Sequence, residues 1–187
     1  MAKYQLAIPG LRALEGGYVN DSRDRGGETF AGITRKFYPE WEGWKTIDAY
    51  KKNVQNYASA MLLSSELKVL VNDFYRVEFW DDLRLGEIKS QKVAEEILDA
   101  SVNFGKRPAT VIAQRGVNLL NKNGALWTDI KPDGVMGDKT IFRLNSASES
   151  ALMKTLNGLQ FIRYVMIVEA DPEQEVWFNG WLNRVTY

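Results

Sequence analysis

The chain has 187 residues, and its 24 Lys and Arg balance its 24 Asp and Glu, so that it carries no formal net charge. A neutral chain is not expected to hold nucleic acid by neutralising phosphates. The sequence contains no cysteine and no histidine, which excludes disulfides, thiol nucleophiles, Ser-His-Asp triads and zinc sites built on His or Cys. Acid–base chemistry near neutral pH must therefore use carboxylates, with Lys or Tyr as less usual groups.

Helical periodicity and helix start signals recur along most of the chain. The predicted helical segments are, in chain order, residues 4–14, 46–79 (as one or two helices), 91–104, 109–120, 140–145 and 149–170, with an amphipathic segment over 172–185. Residues 16–34 are rich in Gly, Asp and Thr, which predicts a loop or a tight hairpin. Strand signals are otherwise nearly missing, so the predicted fold is mainly α.

Local signals place three helix boundaries. Thr46 is expected to begin the second predicted helix, and Gly105 is expected to end the helix over 91–104. Asp138 is a candidate N-cap for the helix that starts at Thr140.

Aromatic side chains are frequent after the N-terminal loop and at the C-terminus. Six of them could stack on sugar rings, although packing is favoured for each one taken singly: Tyr18, Phe30, Tyr38, Trp41, Trp44 and Trp127. Trp177, Phe178 and Trp181 recur at helical spacing and are predicted core residues. Three arginines near the loop are expected to be solvated surface charges, with acidic substrate groups as alternative partners: Arg23, Arg25 and Arg35.

The most apolar later stretch, residues 151–168, is interrupted by Lys154, Asn157, Gln160 and Arg163. These polar side chains favour a buried amphipathic helix over a membrane span. The N-terminal sequence lacks the uninterrupted apolar core of a signal peptide. We therefore expect cytoplasmic synthesis without a signal peptide, and no membrane insertion.

The segment from Glu15 to Thr34 offers the chemistry of a glycosidase. Such an enzyme needs one protonated carboxyl for the leaving oxygen and a second group that acts as nucleophile or holds a water on the opposite face. Glu15 would lie at the end of a packed helix, where burial raises a carboxyl pKa, and Asp24 follows nine positions later across a Gly-rich turn. Thr29 could orient a water. Asp21, Asp24 and Thr29 could equally be turn residues that bond to the backbone.

The full pattern of this segment is E-G-G-Y-x-x-D-x-x-D-x-G-G-x-T-x-x-G-I-T. It closely resembles the N-acetylmuramidases of glycoside hydrolase family 108, and its Glu–Asp–Thr spacing resembles the helix–hairpin triad of phage-type lysozymes. The resemblance implies that Glu15 is the catalytic residue, on a lysozyme-like helical fold with a short Gly-rich hairpin or loop beside the catalytic helix. Many relatives carry a His immediately before the catalytic Glu, where this chain has Leu14.

Four downstream segments look like the predicted peptidoglycan-binding region that accompanies this family: 99–105, 114–121, 133–140 and 178–185. The resemblance therefore implies a catalytic region over 1–90 and a helical peptidoglycan-binding region over 91–187, packed as one globular unit. The stretch from Asp133 to Thr140, D-G-x-x-G-x-x-T, also looks like a loop of other peptidoglycan-binding modules.

The predicted catalytic set is Glu15, Asp24 and Thr29. The predicted substrate-binding residues are Tyr18, Asp21, Gly27, Thr34, Trp41 and Asp133, although Thr34 is also a candidate helix N-cap. We expect no cofactor and no metal, since the spacing of Asp129, Asp133 and Asp138 does not match an EF-hand.

The resemblance implies hydrolysis of the β-1,4 bond between N-acetylmuramic acid and N-acetylglucosamine in bacterial peptidoglycan glycan strands, by a phage or prophage endolysin that we expect to be a monomer. We expect such an enzyme to be made in the bacterial cytoplasm without a signal peptide and to act on the cell wall after export or release through a holin. A water-holding Asp24 implies inversion, with carboxyl groups about 6.5–9.5 Å apart, whereas a gap of about 5 Å implies retention. Two alternatives stay open: a non-catalytic peptidoglycan-binding or secretion-accessory protein, and a lytic transglycosylase.

Overall fold

The computed structural model describes residues 1–11, 16–20 and 27–185. The chain forms two compact units: an N-terminal unit, Tyr4–Asp82, and a C-terminal unit, Leu83–Tyr187 with Met1–Lys3. The described residues are mainly helical and include one small antiparallel sheet, which confirms the predicted fold class. None of the described helices combines the length and the apolar character that a membrane span requires.

The N-terminal unit contains four helices and three short strands among its described residues. They are α1 (Tyr4–Ala7), β1 (Tyr18–Val19), β2 (Thr29–Phe30), β3 (Ile33–Thr34), α2 (Gly43–Asn53), α3 (Tyr57–Leu63) and α4 (Ser65–Tyr75). A 3-10 turn at Ile8–Gly10 contains Pro9 and follows α1, so the first helix is much shorter than predicted. The rest of the predicted first helix, residues 12–14, lies outside the described residues.

The predicted helical stretch 46–79 consists of α2, α3, α4 and a π-helical turn at Arg76–Asp81. The prediction that α2 begins at Thr46 is wrong, because Trp44 and Ile47 of its first turns are buried and extend the helix back to Gly43. Asn56, in the left-handed region at φ 56°, separates α2 from α3. Ser64 separates α3 from α4 and caps α4, since its Oγ accepts a hydrogen bond from Leu67 N at 3.3 Å.

The core of the N-terminal unit is aromatic. The ring of Phe74 meets Tyr38, Trp41, Tyr75 and Phe79 edge-on, with centroid distances between 4.7 and 6.1 Å. Edge-to-face packing of this kind is the arrangement that the ring quadrupoles favour. Helix α4 is thereby fixed against the segment that joins the sheet to α2.

The C-terminal unit contains five α-helices among its described residues: α5 (Gln91–Phe104), α6 (Lys106–Leu119), α7 (Asp138–Ser146), α8 (Glu149–Ala170) and α9 (Glu175–Leu182). The predicted bounds of α5 and α8 are confirmed. Gly105 ends α5 at φ 88°, as predicted, and also precedes α6. Helix α6 begins earlier than predicted because Pro108 fits a first helical turn, where its missing N–H has no partner to lose.

Two predictions for the C-terminal unit are wrong. None of the α9 residues is buried, and Trp177 is 62% exposed; Trp181 stacks on Tyr164 at 5.2 Å, and Phe178 lies near Phe161. The aromatic spacing therefore marks a helix that covers α8 with one side and leaves the other side to solvent. Asp138 is the first residue of α7 and makes no cap bond; its carboxylate pairs with Arg84 at 2.8 Å instead.

Candidate functional site

The predicted Gly-rich hairpin is a three-stranded antiparallel sheet in the order β1-β2-β3. Tyr18 faces Phe30 across β1 and β2, and Phe30 faces Ile33 across β2 and β3. The β2–β3 turn consists of Ala31 and Gly32, both in the left-handed region at φ 47° and 76°, as a type I′ turn requires. The buried side chains of Phe30 and Ile33 anchor the turn in the core.

The N–H and the carbonyl of Ala31 both form hydrogen bonds that hold the turn in place. The buried hydroxyl of Tyr75, on α4, donates to Ala31 O at 2.8 Å, and Ala31 N donates to Gly17 O at 3.3 Å. Burial raises the pKa of Tyr75 well above its ordinary value, so that the phenol stays a donor. Gly17 stands two residues after Glu15 in the sequence, so the start of the motif is tied to its end.

Glu28 is the central charged residue of the sheet. Its side chain is only 14% exposed, and it forms a 2.6 Å ion pair with Arg35 Nε. Its Oε1 accepts hydrogen bonds from Tyr18 OH and from Lys51 Nζ, each at 2.8 Å. One carboxylate therefore joins β1, the start of β2, the end of β3 and helix α2.

Arg35 extends this network to α2. Its guanidinium forms two hydrogen bonds with Asp48, at 2.6 and 3.0 Å, and lies 4.5 Å from the ring centroid of Trp44. The expectation that Arg35 is a simple solvated charge is therefore wrong. We call the set Glu28, Arg35, Asp48, Lys51 and Tyr18 the Glu28 network.

The Glu28 network keeps its acids ionised. Burial alone would raise the pKa of Glu28, but hydrogen bonds from Lys51 and Tyr18 and the charge of Arg35 outweigh it, so the pKa lies below its ordinary value. The hydrogen bonds from Arg35 likewise lower the pKa of Asp48. A carboxylate of this kind is a fixed charge at neutral pH and not a proton donor.

The structure describes some of the predicted site residues of this segment and not others. Glu15, Asp21 and Asp24 lie outside the described residues. Gly27 has φ 66°, and its carbonyl accepts a hydrogen bond from Thr29 Oγ1 at 3.1 Å. The Thr29 hydroxyl thus closes a local turn, the alternative that the sequence left open for it.

Thr34 is not the N-cap of a helix, because α2 begins nine residues later at Gly43. The Thr34 carbonyl accepts hydrogen bonds from Phe37 N and Tyr38 N at 3.2 and 3.0 Å. Its Oγ1 is buried, and within the described part of the chain it has no hydrogen-bond partner.

A cavity of about 360 Å³ adjoins Gly16, the residue that follows Glu15 in the sequence. Its lining residues are Ile8, Gly16, Phe30, Ala31, Met61, Leu62, Lys68, Val71 and Asn72. The walls are apolar, and Lys68 and Asn72 supply the polar groups. Asn72 Oδ1 is buried and lacks a hydrogen-bond partner among the residues the structure describes.

Trp41 does not line this cavity. It packs between Phe30, Trp44 and Phe74 with ring centroids at 6.5, 5.1 and 6.1 Å, and one edge borders a separate surface groove of about 630 Å³ beside Phe37. Trp41 and the buried Trp44 are therefore packing residues, which is the alternative given for each aromatic side chain.

In the C-terminal unit, Asp133 organises the loop that precedes α7. Its Oδ1 accepts hydrogen bonds from Gln114 Nε2 and from Val135 N, both at 2.9 Å. Gln114 in turn accepts a bond from Gly134 N at 2.9 Å. Asp133 also lines a cavity of about 800 Å³ between the loop and α7.

Three amides hold this loop against α6: Gln114, Asn118 and Asn121. Asn118 bonds to both the N–H and the carbonyl of Ile130, at 3.0 and 2.7 Å, and Asn121 donates to Asp129. Sequence reasoning singled out the segment 114–121 by resemblance alone. The signal that could have found the role is the spacing of the three amides, near four residues, which places them on one side of a helix.

Among the described residues, no group of three or more acidic, His or Cys side chains could hold a metal ion. Within the N-terminal unit, the three strands belong to the motif that starts at Glu15, and the Glu28 network and the cavity beside Gly16 include residues of that motif.

Comparison with known proteins places these sites in a family. Residues 9–105 match the family of glycosyl hydrolase 108, and residues 108–186 match a family described as a predicted peptidoglycan domain. Because the first match covers more than half of the chain, the protein belongs to glycosyl hydrolase family 108. It is therefore a glycosidase that carries a predicted peptidoglycan domain.

Among the solved structures with a similar fold is one that matches nearly the whole chain. It is SagA from Brucella abortus, with a TM-score of 0.68 and 24% identity, and the match covers 97% of this chain and 88% of that one. No curated protein matches the chain.

Proposed function

We propose that the protein is an N-acetylmuramidase, which hydrolyses the β-1,4 bond between N-acetylmuramic acid and N-acetylglucosamine in peptidoglycan. The observation that carries this proposal is the match to family 108 over the segment that contains the Glu15 motif. The folding of the downstream half of that motif into a sheet clamped at Ala31 and Glu28 supports it, because a catalytic carboxylate needs rigid surroundings.

In this proposal Glu15 protonates the leaving oxygen. Asp24 accepts a proton from the attacking water on the opposite face of the sugar while the glycosidic C–O bond breaks, so that the anomeric carbon inverts. Thr29, whose hydroxyl donates to Gly27 O, helps to hold that water through its oxygen as an acceptor. The described residues on either side of residues 21–26 support this assignment, because Tyr18 OH donates a 2.8 Å hydrogen bond to Glu28. The network therefore brings together the two chain ends between which Asp21 and Asp24 stand.

The cavity beside Gly16 suits an N-acetylated sugar. Met61 and Val71 offer apolar contact for an acetyl methyl group, and Asn72 Oδ1 is a buried acceptor without a partner among the described residues. An acetamido N–H would satisfy this oxygen, and an unsatisfied buried acceptor is costly. Lys68 could donate a hydrogen bond to the lactyl carbonyl of N-acetylmuramic acid.

Product analysis tests the reaction. Digestion of purified peptidoglycan followed by mass spectrometry should yield fragments with reducing N-acetylmuramic acid ends. A 1,6-anhydro end would assign a lytic transglycosylase instead, and an absence of any soluble product would favour a non-catalytic wall-binding or secretion-accessory protein. Proton NMR of early products should show the α-anomer that inversion produces.

We further propose that the enzyme serves as a phage or prophage endolysin, made in the bacterial cytoplasm and released by a holin or another route. A lytic glycosidase with its own wall-binding domain suits that task. Expression in a bacterial host should leave cells intact until a holin is co-expressed. An absence of lysis when a holin is co-expressed would contradict this role.

A further inference from the structure

A surface groove of about 320 Å³ lies between α6 and α8 of the C-terminal unit. Val111, Ile112, Leu159, Ile162 and Met166 supply its apolar surface, and Ile162 and Met166 are 48% and 59% exposed. Apolar side chains open to solvent side by side are a common mark of a binding surface.

Three arginines surround this apolar floor: Arg107, Arg115 and Arg163. No acidic residue is found among the described residues that line the groove. Arg163 lies 5.5 Å from the ring of Phe104, and its buried Nε has no hydrogen-bond acceptor in the described chain. A buried guanidinium donor that lacks an acceptor is an unusual cost in a folded protein, and an anionic ligand would remove it.

Charge identifies the chemistry of the occupant. The groove needs a ligand with carboxylates spaced between small apolar groups. The helices α6 and α8 fall almost entirely within the predicted peptidoglycan domain. The sugar units of peptidoglycan present neutral hydroxyl and acetamido groups, whereas its peptide stems present free carboxylates between alanine methyl groups.

The spacing of the arginines along the groove also suits a short acidic peptide. Arg107 and Arg115 are eight residues apart on one side of α6, a distance of about 12 Å along a helix axis. An extended peptide of three to four residues spans about the same distance. We propose that this groove binds the acidic peptide stem of peptidoglycan and so recognises the peptide, not the glycan. The proposal rests on the proposed function for its substrate, but it assigns a separate site.

Binding to defined ligands tests the proposal. The full chain with Glu15→Gln, which is expected to slow turnover strongly, is titrated by calorimetry with three ligands. They are a synthetic stem tetrapeptide, the same peptide after its carboxylates are amidated, and a neutral N-acetylglucosamine oligomer. We expect the acidic peptide to bind at least about tenfold more tightly than its amidated form, because charge-assisted bonds to two arginines are lost.

The double variant Arg107→Gln, Arg115→Gln in the same background should lose affinity for the acidic peptide by at least about tenfold. Lys154→Gln is the matched control: Lys154 is an exposed cation on α8, nine residues from Arg163 and so on the opposite side of that helix. It should bind within about twofold of the parent. Circular dichroism checks that both variants fold.

Equal affinity of the double variant and its parent for the acidic peptide would overturn the groove assignment. So would an effect of the double variant on glycan or on anionic lipid vesicles without one on the peptide. These outcomes are separable from the proposed function, which fails if Glu15→Gln cleaves glycan at the wild-type rate, whatever the peptide affinity.

Discussion

At the scale of single residues, Glu28 shows how a carboxylate next to a catalytic motif can be structural. It is enclosed by Tyr18, Arg35 and Lys51, and its lowered pKa makes it a permanent anion at neutral pH. The proton-donating role in the proposed mechanism needs the opposite property, a raised pKa. The environment of Glu28 thus excludes it as the acid and assigns it to holding the sheet.

Glu28→Gln should lower both stability and the rate of peptidoglycan cleavage, because Arg35 and Lys51 lose a shared counter-ion. The stability difference from wild type should be largest near neutral pH. It should shrink as the pH falls through the lowered pKa of Glu28, since the native carboxylate is then protonated too. Urea unfolding from pH 3 to pH 7 measures this.

Glu40→Gln, an exposed acid of the same unit, is the control for Glu28→Gln and should change stability by less than about 0.5 kcal/mol. A Glu28 effect that is independent of pH would contradict the charged network.

A buried acid in the C-terminal unit should act in the opposite direction. Burial, and to a smaller extent the charge of Asp99, raise the pKa of Glu96 to about 7. The Oε1 atom of Glu96 is buried and has no hydrogen-bond partner among the described residues. The folded chain therefore holds a proton that the unfolded chain releases between about pH 4.5 and pH 7, so stability from this group falls as the pH rises through that window. Glu96→Gln should remove up to about 3 kcal/mol of this pH dependence.

Melting temperatures of wild type and Glu96→Gln across pH 4.5 to 8 test whether stability falls as the pH rises. The two curves should converge at acid pH, where wild-type Glu96 is neutral like glutamine. Glu169 is an exposed acid of the same unit, and Glu169→Gln should leave the slope as it is. Parallel curves for wild type and Glu96→Gln would refute the shift.

At the scale of elements, the β2–β3 turn depends on its two left-handed residues. Gly32 at φ 76° accepts this conformation freely, whereas a residue with a Cβ pays roughly 1–2 kcal/mol for it. Gly32→Ala should therefore lower the free energy of unfolding by about 1 kcal/mol. Gly10→Ala is the control, since a Cβ there would meet no atom within 4 Å. Chemical denaturation measures the free energy of unfolding of both variants. Equal losses in Gly32→Ala and Gly10→Ala would contradict the turn geometry.

The amide contacts of α6 make a second prediction for an element. Asn118→Ala removes both partners of the Ile130 backbone and should cost about 1–3 kcal/mol. The cost should be concentrated in the loop 121–137, visible as faster hydrogen exchange at Ile130 N. Leu119→Ala, at an exposed neighbouring position, should leave that exchange rate within about twofold. An unchanged Ile130 rate in Asn118→Ala would contradict this role.

At the scale of the whole molecule, periodicity predicted the mainly α fold and the bounds of α5 and α8, because their apolar faces recur regularly. Three features escaped it for physical reasons. The start of α2 depends on burial of Trp44. The exposure of Trp177 arises because no described element covers that side of α9. The Glu28 network depends on contacts of one carboxylate with β1 and with helix α2, 10 and 23 residues away in the sequence. The motif predicted the hairpin, whereas its tie to Tyr75 needed the fold.

The central claim is that Glu15 is the acid of a muramidase, and a single comparison tests it most directly. Wild type and Glu15→Gln, matched for folding by circular dichroism, are compared for release of reducing ends from purified peptidoglycan. We expect wild type to release N-acetylmuramic acid reducing ends and Glu15→Gln to be slower by about 10²–10⁴-fold, the usual contribution of a general acid. Equal rates for the two proteins, or reducing ends on N-acetylglucosamine, would contradict the assignment.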